Sequence, residues 1–142
     1  MGQKVEQAMT TDVRTVAPDA NVVDAARIMR DEDAGSVPVV EDDRVVGIVT
    51  DRDIVVRGVA EGRDVTALDV REVCSSQPVT VKPDLDLDEA LRLMAQHQVR
   101  RLPVVDGDRL VGVLAQADVA RATGDRETGA LVDDISQPGS NN

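Results

Sequence analysis

Thr50 and Asp53 stand three residues apart, at the end of a β-branched run. A carboxylate there can accept hydrogen bonds from two adjacent hydroxyls. The same spacing is that of a capping box, in which each side chain satisfies the other's backbone N–H. Asp118 ends a second such stretch, but Ala115 stands where the hydroxyl would be. A carboxylate kept without its capping partner is easier to explain if it has a further task. Arg100 and Arg101 directly precede an apolar run. Their guanidinium groups suit phosphate, although a basic pair in an acidic chain is also an ordinary solvated feature.

Other constellations carry less. Cys74 and His97 are the candidates for nucleophile and base. Cys74 fills the slot that Met9 fills elsewhere in the chain, which favours packing. His97 sits near a helix C-terminus, where a cation is favourable. A zinc site built on the two would need carboxylates for its remaining ligands. Asp84-x-Asp86-x-Asp88 has the opening of a calcium loop, but Glu89 replaces the required glycine and Ala95 occupies position twelve. The chain is therefore expected to be no enzyme, to hold no metal of its own and to need no obligatory cofactor. Mg²⁺ would arrive only with a bound polyphosphate.

Composition narrows the partners. The chain has 142 residues, and its 27 acidic against 16 basic residues give a net charge of −11. Such a surface repels phosphate backbones, which argues against nucleic acid and anionic membrane. There is no Phe, Tyr or Trp, so the core must be aliphatic and no base can stack on an aromatic ring. A single cysteine excludes an internal disulfide. No apolar run approaches the ~20 residues of a membrane span. Met1-Gly2 begins like a myristoylation signal, but Glu6 occupies the position that needs Ser or Thr. A cytoplasmic protein is expected.

The elements that must position these groups come from a duplication. At an offset of 65 the chain aligns with itself without a gap. Thr15-Val16-Ala17-Pro18-Asp19 falls on Thr80-Val81-Lys82-Pro83-Asp84, and Pro38-Val39-Val40 on Pro103-Val104-Val105. Gly47 falls on Gly112 and Asp53 on Asp118. Each copy reads as a short strand (Thr15–Ala17 in the first), a helix, a hairpin and a second helix. Asn21 and Asp86 are the expected helix caps. Val22, Ala25, Ala26 and Met29 form one apolar stripe, and Leu87, Ala90, Leu91 and Met94 the other. Acidic turns, Glu41-Asp42-Asp43 and Asp106-Gly107-Asp108, close the hairpins. The second helices are expected over 51–60 and 116–123, with short lead-in segments at 5–9 and 67–74. The repeats span 5–60 and 66–123, and the polar tail from 124 is expected to be disordered. A single repeat buries too little surface to be secure alone, so one continuous aliphatic core shared by the two is expected.

These residues carry a resemblance. A β-α-β-β-α unit with Pro-Val-Val, an acidic turn and Gly47-Ile48-Val49-Thr50-Asp51-Arg52-Asp53 resembles a cystathionine-β-synthase-type (CBS) domain. Two in tandem resemble a Bateman module, an α/β (α+β) fold of two repeats packed with pseudo-two-fold symmetry. The resemblance implies a regulatory module that binds an adenosine-containing ligand (AMP, ADP, ATP or S-adenosylmethionine) between its repeats and signals to a partner protein. It also implies a homodimer, with the helices after each hairpin as contact surfaces. It places Thr50 and Asp53 in a first cleft with Ile48, Gln77, Pro78, Val79, Val99, Leu102 and Pro103, and with Arg100 and Arg101 as phosphate ligands. A second, weaker cleft would combine Asp118 with Thr11, Asp12, Val13, Val37 and Pro38. Without aromatic rings, adenine would rest on aliphatic side chains such as Ile48, Val79 or Leu102. The alternative is an interaction or stress-response protein of this fold that binds no nucleotide.

Overall fold

A computed structural model describes residues 2–123. The expectation for the tail from 124 lies outside the described residues. Each repeat folds as an 11-residue helix, a two-stranded antiparallel hairpin and a second helix. In the first repeat these are α1 (Val22–Glu32), β1 (Ser36–Glu41), β2 (Arg44–Thr50) and α2 (Asp51–Ile54), which continues as a π-helical turn over Val55–Val59. In the second they are α3 (Leu87–His97), β3 (Arg101–Asp106), β4 (Arg109–Ala115) and α4 (Gln116–Thr123). The mixed α/β class and the duplication are as the sequence indicated.

Local chemistry explains the elements. The Asn21 side chain accepts from Val23 N at 2.8 Å and caps α1. Two-residue turns close both hairpins, with Glu41 opposite Arg44 and Asp106 opposite Arg109. Asp42 and Asp43 adopt positive φ (54° and 67°), as a primed turn requires. In both hairpins the register shifts by one residue, after Val39 and after Val104.

Four details depart from the sequence pattern. Thr15–Ala17 and its counterpart are not strands. Each touches its hairpin at one parallel bridge, Val16 to Val39 and Val81 to Val104. In α1 the buried stripe is Val22, Ala25, Ile28 and Met29, while Ala26 is exposed. Asp86 does not cap α3 with its side chain, because its Oδ1 pairs with Lys4 Nζ at 2.6 Å. The helix after the first hairpin is only four residues of α-helix before it widens into the π turn.

The lead-in segments decide how burial is organised. The chain divides into two compact units, Arg14–Pro78 on the one hand and Met1–Val13 with Val79 onward on the other. Each lead-in thus folds with the hairpin of the other repeat. Thr10 and Val113 exchange two backbone hydrogen bonds of 2.9 Å, and Ser75 and Ile48 do the same at 2.9 and 3.0 Å. Short 3₁₀ turns at Val5–Gln7 and Val70–Glu72 bury Val5 and Val70. The buried side chains form two clusters, one per unit, rather than one continuous core. Val5 joins Val81, Leu87, Leu91, Met94, Leu102 and Leu114 in the first. Leu68, Val70 and Val73 join Val22, Met29, Val37 and Val49 in the second. The exchanged segments supply the apolar area that each repeat lacks on its own.

Candidate functional site

In the unit spanning 14–78, β2 delivers Ile48 and Thr50 to the start of α2. Thr50 Oγ1 accepts from Asp53 N at 3.0 Å, and Asp53 Oδ2 accepts from Thr50 N at 3.0 Å. The capping box is complete. Asp53 Oδ1 has no partner among the described residues, and the residue is half-buried. The Ser75–Ile48 bridge lays the segment leading to Gln77 and Pro78 along β2. Gly35 O accepts from Asp51 N at 3.0 Å and Ser36 pairs with Thr50, so small residues flank this helix start.

In the other unit Asp118 occupies the equivalent position but differs in state. It is 7% exposed. Its Oδ2 accepts from Ala115 N at 3.0 Å, and Arg121 Nη2 donates to its Oδ1. The Thr10–Val113 bridge brings Thr11, Asp12 and Val13 off β4 nearby in sequence register, with Thr11 and Asp12 exposed. Arg101 lies opposite Ala115 in the hairpin, and Arg100 O accepts from Gln116 N at 2.9 Å. Arg100 is exposed and Arg101 half-buried.

The sequence-predicted residues thus divide between the units. Ile48, Thr50, Asp53, Gln77 and Pro78 fold together, as do Asp118, Thr11, Asp12 and Val13. Val79, Val99, Arg100, Arg101, Leu102 and Pro103 belong to the unit of Asp118, and Val37 and Pro38 to that of Asp53. Leu102 and Val37 are each 1% exposed and serve the cores, so Leu102 offers no apolar face to a ligand. Ile48 and Val79 are half-buried and retain such a face. Arg121 was not among the residues singled out from sequence. Its position three after Asp118, where the first repeat has Val56, is the signal that marks it.

Cys74 lies beside this first helix start. A methyl group built on Gly47 would stand 3.3 Å from Cys74 Sγ. Burial, and then the negative charge of Asp53, push the thiol pKa above its ordinary value. A raised pKa means less thiolate at any given pH, so Cys74 should alkylate more slowly than a small-molecule thiol at pH 8. Asp53→Asn removes the charged neighbour and should speed the reaction. Iodoacetamide labelling followed by mass spectrometry measures both, and an unchanged rate in the variant would remove Asp53 as a cause.

Among the described residues no group of three or more His, Cys, Asp and Glu could hold a metal ion. No helix of the described residues is long and apolar enough to cross a membrane.

Two copies of one helix–hairpin–helix unit, each with an aspartate on the first turn after the hairpin, define a duplicated α/β module. The chain belongs to the CBS domain family, whose model matches residues 5–59 and 70–125. It is 46% identical over 116 residues to the CBS domain-containing protein YhcV of Bacillus subtilis, covering 82% of each chain. It is 39% identical over 114 residues to hypoxic response protein 1 of Mycobacterium tuberculosis, covering 80% of each. A crystal structure of hypoxic response protein I, described with two coordinated zinc ions, matches 84% of this chain and 98% of its own at a TM-score of 0.76 and 37% identity. CBSX2, solved in complex with AMP, matches 85% of this chain and 96% of its own at a TM-score of 0.75 and 29% identity.

Proposed function

We propose that this chain is a cytoplasmic regulatory module that binds an adenosine-containing ligand and signals its presence to a partner protein. Membership of the CBS domain family and the likeness to the AMP-bound CBSX2 support the reading. The observation that carries it is the state of Asp53. One of its oxygens is spent on the cap and the other is left without a partner among the described residues. An ionised carboxylate accepts several hydrogen bonds, so Asp53 can hold a ribose hydroxyl without giving up its structural role. The Thr50 hydroxyl accepts from Asp53 N and still has its own proton to donate to ribose or phosphate. The resemblance assigns the phosphate to Arg100 and Arg101, and Ile48, in the unit of Asp53, keeps an apolar face on which adenine can rest. Binding shifts the module between conformations to the extent that the ligand prefers one of them.

The composition supplies the test. With no Trp or Tyr the protein is nearly transparent at 260–280 nm. A 260 nm band in the purified protein, released by heat and identified by chromatography, would name the ligand. No band, together with no heat on titration of AMP, ATP or S-adenosylmethionine, would overturn the reading. That result would favour the second one, an interaction protein of this fold without nucleotide, for which the completed capping box is a sufficient role for Thr50 and Asp53.

The reading includes a homodimer. Val55, Val56 and Val59, on the helical segment after the first hairpin, are 56%, 44% and 57% exposed. Three neighbouring apolar side chains on one π-helical turn are poorly explained by solvent alone. Val56→Asp combined with Val59→Asp should convert a dimer of this chain to monomer, as read by light scattering after size-exclusion chromatography. An unchanged mass would place the contact elsewhere.

A further inference from the structure

Both repeats lay a sulfur atom over a glycine of a hairpin strand. Met9 and Cys74 occupy equivalent places, one in each lead-in, and Gly112 and Gly47 do so in β4 and β2. A Cβ built on Gly112 would stand 2.7 Å from Met9 Sδ and 3.1 Å from its Cγ, so the thioether lies against bare backbone. Met9 also packs on the cluster that includes Val5, Leu102 and Leu114. Directly after it, Thr10 and Val113 exchange the two backbone hydrogen bonds that hold this lead-in to β4. From Thr11 to Thr15 no backbone hydrogen bond follows among the described residues, so this pair is the last fastening before Val16. Met9 is half-buried, whereas Met29 is 7% exposed and Met94 0%. Solvent thus reaches a thioether that covers the strand beside those two hydrogen bonds.

We propose that Met9 is an oxidation site through which hydrogen peroxide loosens the lead-in from β4. The thioether sulfur attacks one peroxide oxygen. An S–O bond forms as the O–O bond breaks, and the second oxygen leaves with both protons as water. Sulfur loses two electrons and peroxide gains them. The product sulfoxide is polar where the thioether was apolar. Gly112 has no side chain to donate to it and the cluster beneath is apolar, so the group turns toward water. Its departure uncovers the strand and lets water compete for the Thr10–Val113 hydrogen bonds. A methionine sulfoxide reductase, drawing electrons from a thiol, removes the oxygen as water and restores the contact. At the equivalent place in the first repeat the chemistry differs. Cys74 reacts through its thiolate, and its surroundings keep that form scarce. The proposal is independent of nucleotide binding.

Hydrogen peroxide treatment of the full chain tests this, with Cys74→Ala as the parent so that no thiol contributes. Peptide mass spectrometry should find Met9 converted about tenfold or more faster than Met29 and Met94. The oxidised chain should melt about 4–8 °C lower, with hydrogen exchange at Thr10 and Val113 about fivefold faster. Methionine sulfoxide reductases of both stereospecificities, with dithiothreitol, should reverse both changes. Met9→Leu exchanges one apolar side chain for another of similar volume, and peroxide should leave its Tm and exchange where they began. Met9→Gln places a polar group at the same position and should show the lowered Tm and faster exchange without any oxidant. Met29 or Met94 oxidised as fast as Met9 would overturn the proposal. So would a chain carrying Met9 sulfoxide, or Met9→Gln, that melts and exchanges as the parent does. A Met9→Leu protein that loses as much stability to peroxide as its parent would place the damage elsewhere and overturn it too.

Discussion

Asp53→Ala should weaken AMP binding about tenfold or more, the loss of a charge-assisted hydrogen bond of about 1.5–3 kcal/mol. The same change removes half of the capping box and costs stability, typically about 1 kcal/mol. Asp53→Asn separates the two. Its amide oxygen can still accept from Thr50 N, so the cap and the melting temperature should hold. The negative charge is gone, so AMP affinity should fall nearly as far as in the alanine variant. Thr50→Ala reproduces the residue of the second repeat, Ala115, and should lose stability through the missing cap. If Arg101 holds the phosphate, as the resemblance implies, Arg101→Ala should cost a factor of about ten for AMP and little for adenosine. Titration calorimetry of the four variants with AMP reads these differences. Asp53→Asn and Arg101→Ala binding AMP as wild type does would sink the assignment of both residues, and leave the capping box as the whole function of the Thr50–Asp53 pair.

What the sequence allowed to be read followed the range over which its signals act. The duplication was legible because the offset of 65 holds even for small features. The 3₁₀ turns at Val5–Gln7 and Val70–Glu72 begin on aligned residues, and the hairpins repeat down to the one-residue register shift. Turn chemistry and β-branched runs are local, and they placed β1 to β4. The exchange of lead-in segments was not legible. Val5 and Val70 occupy equivalent positions before equivalent repeats, and no nearby residue says which hairpin either will join. The same cause hid the state of Asp86. Its capping role depended on the next few residues, but Lys4, 82 residues away in the chain, takes its carboxylate instead. Ala26 and Ile28 both fit a helical apolar stripe at this resolution of pattern, and packing chose the larger side chain. For the site, the helix-start aspartates were found because motif and repeat agree. The difference between them was missed because a residue beyond the motif, Arg121, determines it. That pair was within reach of sequence reasoning, since an Asp and an Arg three apart on a helix are neighbours.

Gly47→Ala should be the most destabilising single-methyl change in the first repeat. A Cβ at Gly47 would stand 2.4 Å from Ser75 O and 3.4 Å from Ser75 C. These are backbone atoms of the exchanged lead-in, so the strain cannot be relieved by turning a side chain. Ser75 also gives and receives the two hydrogen bonds that hold this segment to Ile48, so moving it away loosens both. Overpacking of this kind costs about 1–3 kcal/mol, roughly 5–15 °C in Tm for a unit of this size. Gly112→Ala is the internal comparison. There the nearest atom is Met9 Sδ at 2.7 Å, the flexible end of a side chain, with Thr10 O next at 2.9 Å. Its cost should be smaller, because the methionine can turn aside and the backbone has less far to move. The consequence reaches function, since the segment that Gly47 admits runs directly on to Gln77 and Pro78 and lies against the strand that carries Ile48 and Thr50. Gly47→Ala should therefore weaken AMP binding as well as lower Tm, although it touches none of the atoms proposed to contact the ligand. Melting curves and titrations of the two variants decide the matter. Equal melting temperatures would mean that the lead-in at Ser75 yields as readily as a methionine. A Gly47→Ala protein that melts early but binds AMP normally would detach the exchanged segment from the site.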